Sequence, residues 1–225
     1  MLLLFDIDGT LVQKASREHV EAMHDALRRV HGLTEPANVE AAGRTDIEIA
    51  RHICLLAGIP AVRFDARLDD LQEAVAEEYA RLVPDSLADR VAAGVPELLE
   101  ALADRPGVRL SLVTGNIEPV ARMKLRAAGI GEHFPAGQGG FGSDHEDRVM
   151  LPPIARARAG DNAAAYPRER TIVIGDTPRD IACARVDGLR VVGVAGGPYR
   201  ADELADADVV VASAADLLGA LDPLL

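Results

Sequence analysis

The chain opens on an apolar run, "LLLF" at residues 2 to 5, that meets "DIDGT" at once. A short apolar run closed by a Gly reads as a buried strand ending in a turn. From about Ser16 to Arg90 the apolar positions fall at helical spacing instead. "REHVEAMHDALRRVHG" predicts a helix stopped by its Gly, and "DIEIARHICLLAGIP" one stopped by Gly58 and Pro60. "RLDDLQEAVAEEYARLV" predicts a third, with its charges on a solvated face. From Val95 onward helix and strand patterns alternate. "VPELLEALADRPG" reads as helix, "VRLSLVTGN" as strand and "IEPVARMKLRAAGI" as helix, with Pro119 in its first turn. "AGQGGFGSDHEDR" reads as a Gly-rich acidic loop. A helix from about Leu151, the strand "RTIVIGD", the helix "TPRDIACARVDG", the strand "LRVVGVAGG" and a closing helix follow. Such alternation predicts an α/β protein with a parallel sheet covered on both faces. The first strand joins that sheet. Residues 15–90 are therefore expected to form a helical cap inserted into a core made of residues 1–14 and 91–225.

Composition narrows the function classes. Hydrophobic residues make up 48% of the 225 and charged residues 27%, an ordinary globular profile. The 36 acidic and 24 basic residues give a net charge of -12. Such a surface repels nucleic acid, whereas a small phosphorylated metabolite remains acceptable wherever a local cation inverts the field. Cys54 and Cys183 fit no CxxC pattern, which predicts a reduced, cytoplasmic setting without disulfides. "MLLLF" is too short for a signal peptide, and no run approaches the roughly 20 apolar residues of a membrane span. The expectation is a soluble cytoplasmic protein with no nucleic-acid or membrane partner.

Asp6 and Asp8 lie two positions apart, so in extended geometry both side chains leave the same face. Two carboxylates aimed at one spot repel unless a proton or cation lies between them. In an open α/β sheet, ligands bind at the carboxyl ends of the strands. Three predicted strands end in polar groups there: "FDIDGT", "LVTGN" and "VIGDTPRD". Asp6, Asp8, Asp176 and Asp180 would bring four carboxylates to one rim. That oxygen-only donor set calls for a hard divalent cation and favours Mg²⁺.

With these three motifs in order, the chain resembles phosphatases of the haloacid dehalogenase superfamily over essentially its whole length. It is most similar to the phosphoglycolate phosphatase-like, β-phosphoglucomutase-like branch. The resemblance implies a Rossmann-like core with an inserted helical cap. It also implies Mg²⁺-dependent hydrolysis of a small phosphomonoester through an aspartyl-phosphate, in a monomer or homodimer. In that frame Asp6 is the nucleophile, and Asp8 is first general acid and then general base. Asp6, the backbone carbonyl of Asp8 and Asp176 hold the metal, with Asp180 in support. Thr114, the Gly115 N–H and Asn116 receive the phosphoryl oxygens. One element departs from the family, which usually places a lysine before the last motif. The two lysines here are Lys14 and Lys124, and neither stands there. The equivalent slot falls on Arg148 in "HEDRVMLPP", preferred over Lys124, which lies about 12 Å along its helix. "AGRTD" puts Arg44, Thr45 and Asp46 where relatives carry a substrate-contacting loop. The same letters also spell a helix start, with Thr45 as N-cap and Glu48 three residues on. His145, among Asp144, Glu146 and Asp147, reads as part of a solvated loop rather than a second metal site. A phosphomutase shares all three motifs, and a catalytically weak phosphate-binding or regulatory protein is the alternative that the displaced lysine leaves open.

Overall fold

The structure, a computed structural model, describes residues 1–161 and 164–225. Six strands form one all-parallel sheet: β1 (Leu2–Phe5), β2 (Arg109–Thr114), β3 (Gly140–Phe141), β4 (Thr171–Gly175), β5 (Arg190–Val194) and β6 (Val209–Val211). Their spatial order is β3-β2-β1-β4-β5-β6. The chain builds outward from β1 on one side, through β2 and β3, then returns to β1's other edge with β4. The switch point therefore lies at the carboxyl end of β1, where a crevice opens in folds of this kind.

Burial on both faces explains why β1 reads as an unbroken apolar run rather than an alternating one. Leu3 and Phe5 point to one side, into a cluster with Leu98, Leu102, Ala121 and Leu217. These come from α5 (Val95–Ala103), α6 (Glu118–Ala127) and α9 (Leu217–Leu221). Leu2 and Leu4 point to the other side, with Leu151, Ala155, Ile181 and Ala184 of α7 (Leu151–Ala159) and α8 (Pro178–Val186).

Between β1 and β2 lie α1 (Arg17–His31), α2 (Asp46–Leu56), α3 (Ala61–Asp65) and α4 (Leu68–Leu82). These helices bury a third cluster, with Met23, Leu27, Ile53, Phe64 and Tyr79 among its members, that reaches α6 through Val120 and Met123 and through Ile117 just before it. The two connections to this helical insert run antiparallel side by side: Gln13 N–H donates to the Arg90 carbonyl (2.7 Å) and Ala92 N–H to the Leu11 carbonyl (2.9 Å).

Three elements lie outside the pattern read from sequence. The segment expected to be only loop contains β3, a two-residue strand paired to Val113 and Thr114. The strand β6 and the five-residue α3 were likewise too short to show a period. All of them exist through tertiary contact: β6 pairs with β5, and Phe64 of α3 is fully buried.

A buried ion pair ties together the two helices that present the polar rim. Arg156 of α7 donates from Nε and Nη2 to the Asp187 carboxylate just beyond α8 (2.7 and 2.9 Å), and from Nη1 to the Tyr166 carbonyl (2.7 Å). Both side chains are buried. Removing one partner strands the other charge in a low-dielectric site, which costs about 3–5 kcal/mol. Asp187→Ala should lower the urea midpoint accordingly. Asp202→Ala, which breaks the exposed Arg200–Asp202 pair, should leave it within error.

Candidate active site

β1 ends at Phe5, so Asp6 and Asp8 lie beyond the strand rather than within it. Their carboxylates do not share one partner, as extended geometry would suggest. Each has its own cation. Asp6 Oδ1 lies 3.2 Å from Arg148 Nη2, whereas Asp8 accepts from Lys124 Nζ with both oxygens (2.8 and 2.7 Å) and from Asn116 Nδ2 (2.8 Å). The turn that follows Asp8 needs Gly9 (φ 89°), where a Cβ would lie 2.1 Å from Asp176 Oδ2. A Cβ at Gly197 would meet the same oxygen as closely, at 1.9 Å.

Asp176 follows β4 and accepts a hydrogen bond from Thr10 Oγ1 (3.2 Å). Asp180 is the third residue of α8 and completes a capping box with Thr177: its Oδ2 accepts from Thr177 N–H (2.9 Å) and Thr177 Oγ1 (2.8 Å). Its Oδ1 accepts from Arg148 Nη2 (2.5 Å). The helix-start reading and the site reading of Asp180 are therefore both true.

Oxygens of Asp6, Asp176 and Asp180 all lie within 4.8 Å of one another, and all three residues are buried. Burial pushes the Asp6 carboxyl well above the usual range, with repulsion from Asp180 and Asp8 adding to it and Arg148 opposing. Burial also raises Asp176, reinforced by Asp180 and Asp6. Asp8 differs: burial pushes it up, but the Lys124 ammonium more than offsets this and holds it below the usual carboxylate range. One guanidinium thus faces three crowded carboxylates. That excess of negative charge, with oxygen donors alone, fits a divalent metal ion, and Asp6, Asp176 and the backbone beside them would hold it.

Thr114 ends β2 fully buried, and its hydroxyl accepts from Asn116 Nδ2 (2.7 Å). Asn116 Oδ1 in turn accepts from Lys124 Nζ (2.7 Å), so Asn116 couples the β2 end to Asp8. Arg148 is buried, donates from Nη1 to the Gly43 carbonyl (3.3 Å), and keeps a buried Nε without a partner. Both sequence candidates for the missing cation therefore reach the rim, at different carboxylates.

In the loop before α2, Arg44 lines the cavity, with its Nη1 3.0 Å from His52 Nδ1 and its Nε 3.4 Å from Glu48 Oε1. Thr45 turns away from the cavity. Its hydroxyl accepts from Glu48 N–H (3.1 Å) and donates to the Glu146 carbonyl (2.6 Å). The Asp46 carboxylate accepts from Ile117 N–H (2.8 Å) at the start of α6, so it anchors the insert to the core. His145 is exposed, Asp144 pairs with Arg158, and Glu146 pairs with Arg51, so these side chains converge on no common point.

Two participants had no sequence signal. His19 of α1 sets Nδ1 3.2 Å from Lys124 Nζ and Nε2 3.1 Å from Asp46 Oδ2. Arg51 of α2 grips Glu146 across the insert–core boundary with its Nε at 2.6 and 2.7 Å. Neither lies at a spacing tied to the motifs, since only the fold brings α1 and α2 over the rim.

A family model described as haloacid dehalogenase-like hydrolase matches residues 3–185. Among curated proteins, the chain is 29% identical to the probable phosphatase IndB of Dickeya dadantii, over all of this chain and 94% of that one. It is also 29% identical to the phosphoglycolate phosphatase of Rhodospirillum rubrum, over 88% and 80% of the two chains. Among solved structures, CbbY from Rhodobacter sphaeroides in complex with phosphate superposes with a TM-score of 0.70, at 22% identity and 98% coverage of both chains. β-Phosphoglucomutase from Clostridium difficile gives 0.68, at 15% identity and 99% and 96% coverage. At such identities these structures bear on the fold, while the family model and the sequence relatives bear on kinship. The chain belongs to the haloacid dehalogenase-like hydrolases and is an enzyme of their phosphatase branch.

Proposed function

We propose that the protein hydrolyses small phosphomonoesters by a two-step displacement on Asp6. The observation that carries this reading is the placement of Asp6 at the sheet's switch point. Asp176, Asp180 and Arg148 lie on one side of it, Thr114 and Gly115 on the other, and Asp8 is held separately by Lys124. The phosphatase names of its relatives support the same reading.

In the first step an Asp6 oxygen attacks phosphorus, the bond to the substrate's ester oxygen breaks, and Asp8 gives that oxygen a proton. In the second, water attacks the aspartyl-phosphate and passes its proton to Asp8, releasing inorganic phosphate and restoring the Asp6 carboxylate. Lys124 and Asn116 suit Asp8 to the second role, because they stabilise the ionised form. The negative charge of a bound phosphoryl group favours the protonated form needed in the first. Arg148, the Thr114 hydroxyl and the Gly115 N–H would take the equatorial phosphoryl oxygens. Mg²⁺, held by Asp6, the Asp8 carbonyl and Asp176, would neutralise charge so that one anion can approach another.

Residues 15–90 act in this reading as a cap over the rim, held down by Asp46 N–H on the Gly115 carbonyl (2.8 Å) and by Arg51 on Glu146. Closure excludes water other than the nucleophile. Among the described residues no helix is long and apolar enough to cross a membrane, and the net charge of -12 disfavours nucleic acid, so the expected partner is a small phosphorylated metabolite.

Asp6→Asn should lower kcat by ~10³-fold or more, because no other group replaces the nucleophile. The assay is phosphate release from p-nitrophenyl phosphate with Mg²⁺, alongside circular dichroism. Near-normal turnover in the folded variant would remove the assignment.

The two cations separate by their kinetics. Arg148→Ala should raise KM and lower kcat together, for a loss in kcat/KM of roughly 30- to 1,000-fold. Lys124→Met, which acts through Asp8, should lower kcat about 10-fold with KM little changed. Steady-state assays of both variants decide the assignment, and a loss larger for Lys124→Met would reverse it.

A further inference from the structure

The cavity over the rim has a volume of about 440 Å³, which leaves room for a body beyond the phosphoryl group. Its acidic lining residues are Asp6, Asp8 and Asp176 beside the strand ends and Asp46 from the insert. Asp46 is already engaged: its carboxylate accepts from Ile117 N–H (2.8 Å) and lies 3.1 Å from His19 Nε2. Away from the strand ends, the described residues of the lining therefore offer a ligand no unengaged carboxylate.

The cations of the same lining are less fully matched. Lys14 borders the cavity, is exposed and has no ion-pair partner among the described residues. Arg44 borders it too. Its buried Nε has no hydrogen-bond partner and lies 3.4 Å from a Glu48 oxygen that is also 3.9 Å from Arg179 Nη1. One carboxylate is thus shared by two guanidiniums. In a chain of net charge -12, this is a local inversion of the field.

The backbone of Lys14 adds an independent observation. Among the described residues it is the one non-glycine with a left-handed conformation (φ 55°), which costs energy for any residue with a Cβ. Its neighbours impose that conformation. The Lys14 carbonyl accepts from Arg90 Nη1 (3.1 Å), and the preceding Gln13 donates from N–H to the Arg90 carbonyl (2.7 Å) and from Nε2 to the Gly9 carbonyl (2.6 Å). A glycine would make this turn at less cost, so turn geometry alone does not call for a lysine.

Resting on the phosphatase reading above, we infer that Lys14 receives a second anionic group of the substrate, a carboxylate or a further phosphate, with Arg44 adding to the field that draws it in. The preferred substrates are then phosphorylated acids or bisphosphates rather than monoesters of neutral alcohols.

The test compares kcat/KM with Mg²⁺ within two pairs of esters that differ in the charge of the far end. 3-Phosphoglycerate and glycerol 3-phosphate exchange a carboxylate for a hydroxymethyl group. A hexose bisphosphate and its 6-phosphate exchange a second phosphate for a hydroxyl. In at least one pair the wild-type protein should favour the more anionic ester by tenfold or more, and the pair that does so identifies the anion. Lys14→Gly, which suits the left-handed turn, should cut that preference about tenfold, whereas Lys14→Arg, which keeps the charge, should retain most of it. Ratios below ten in both pairs, with p-nitrophenyl phosphate turned over, overturn this inference while the phosphatase reading stands. A preference that survives Lys14→Gly overturns it too, as does an equal loss in Lys14→Arg. No turnover of any of the five esters removes both.

Discussion

Confined negative charge is the constraint on which the rest of this structure depends. Three buried carboxylates, Asp6, Asp176 and Asp180, crowd within 4.8 Å, and Asp8 stands two residues from the first of them. Such a group persists in a folded protein only where cations, donors or protons compensate it. Much of the surrounding architecture does this. Arg148 is buried against Asp6 and Asp180, Lys124 is fully buried against Asp8, and Thr10 and Thr177 donate to what remains. The Arg156–Asp187 pair holds α7, which follows the turn carrying Arg148, to the end of α8, which carries Asp180. Charge that would destabilise a structural core is here concentrated at a crevice, where a metal and a phosphoryl group can use it.

The second constraint is steric. The insert lies on the rim with almost no space between backbones. A Cβ at Gly115 would meet the Arg44 carbonyl at 2.0 Å, and one at Gly142 would meet the Gly115 carbonyl at 1.9 Å. These two glycines let the loop before α2 settle against the β2 end, and that approach allows Asp46 to bond across the boundary. The same approach brings His19 to Lys124 and Arg44 to the cavity. The cavity is therefore lined by the strand ends of the sheet on one side and by the insert on the other.

Much of this was legible in the sequence because it rests on local rules. The unbroken apolar β1, the helical spacing from α1 to α4 and the strand–helix alternation each follow from burial on one face or two. The positions of Asp6, Thr114 and Asp176 follow from strand ends, and the crevice position follows from the α/β connection rule. The family's lysine slot, counted back from the helix at Leu151, pointed to Arg148, and the scarcity of lysines left Lys124 as the alternative.

What the sequence by itself determined was thus the class of fold and the rim on which Asp6, Asp176 and Asp180 gather. Only the tertiary structure decided that Asp6 and Asp8 serve different cations, that Thr45 caps a helix instead of facing the cavity, and that Arg44 lies against Glu48 and His52. It alone supplied β3 and β6, which two or three residues cannot encode without a neighbouring strand. The physical reason is the same in each case. Periodicity and end-capping act over a few residues, whereas ion pairing and wall-building join positions such as Asp8 and Lys124, 116 residues apart, that meet only when the chain has folded.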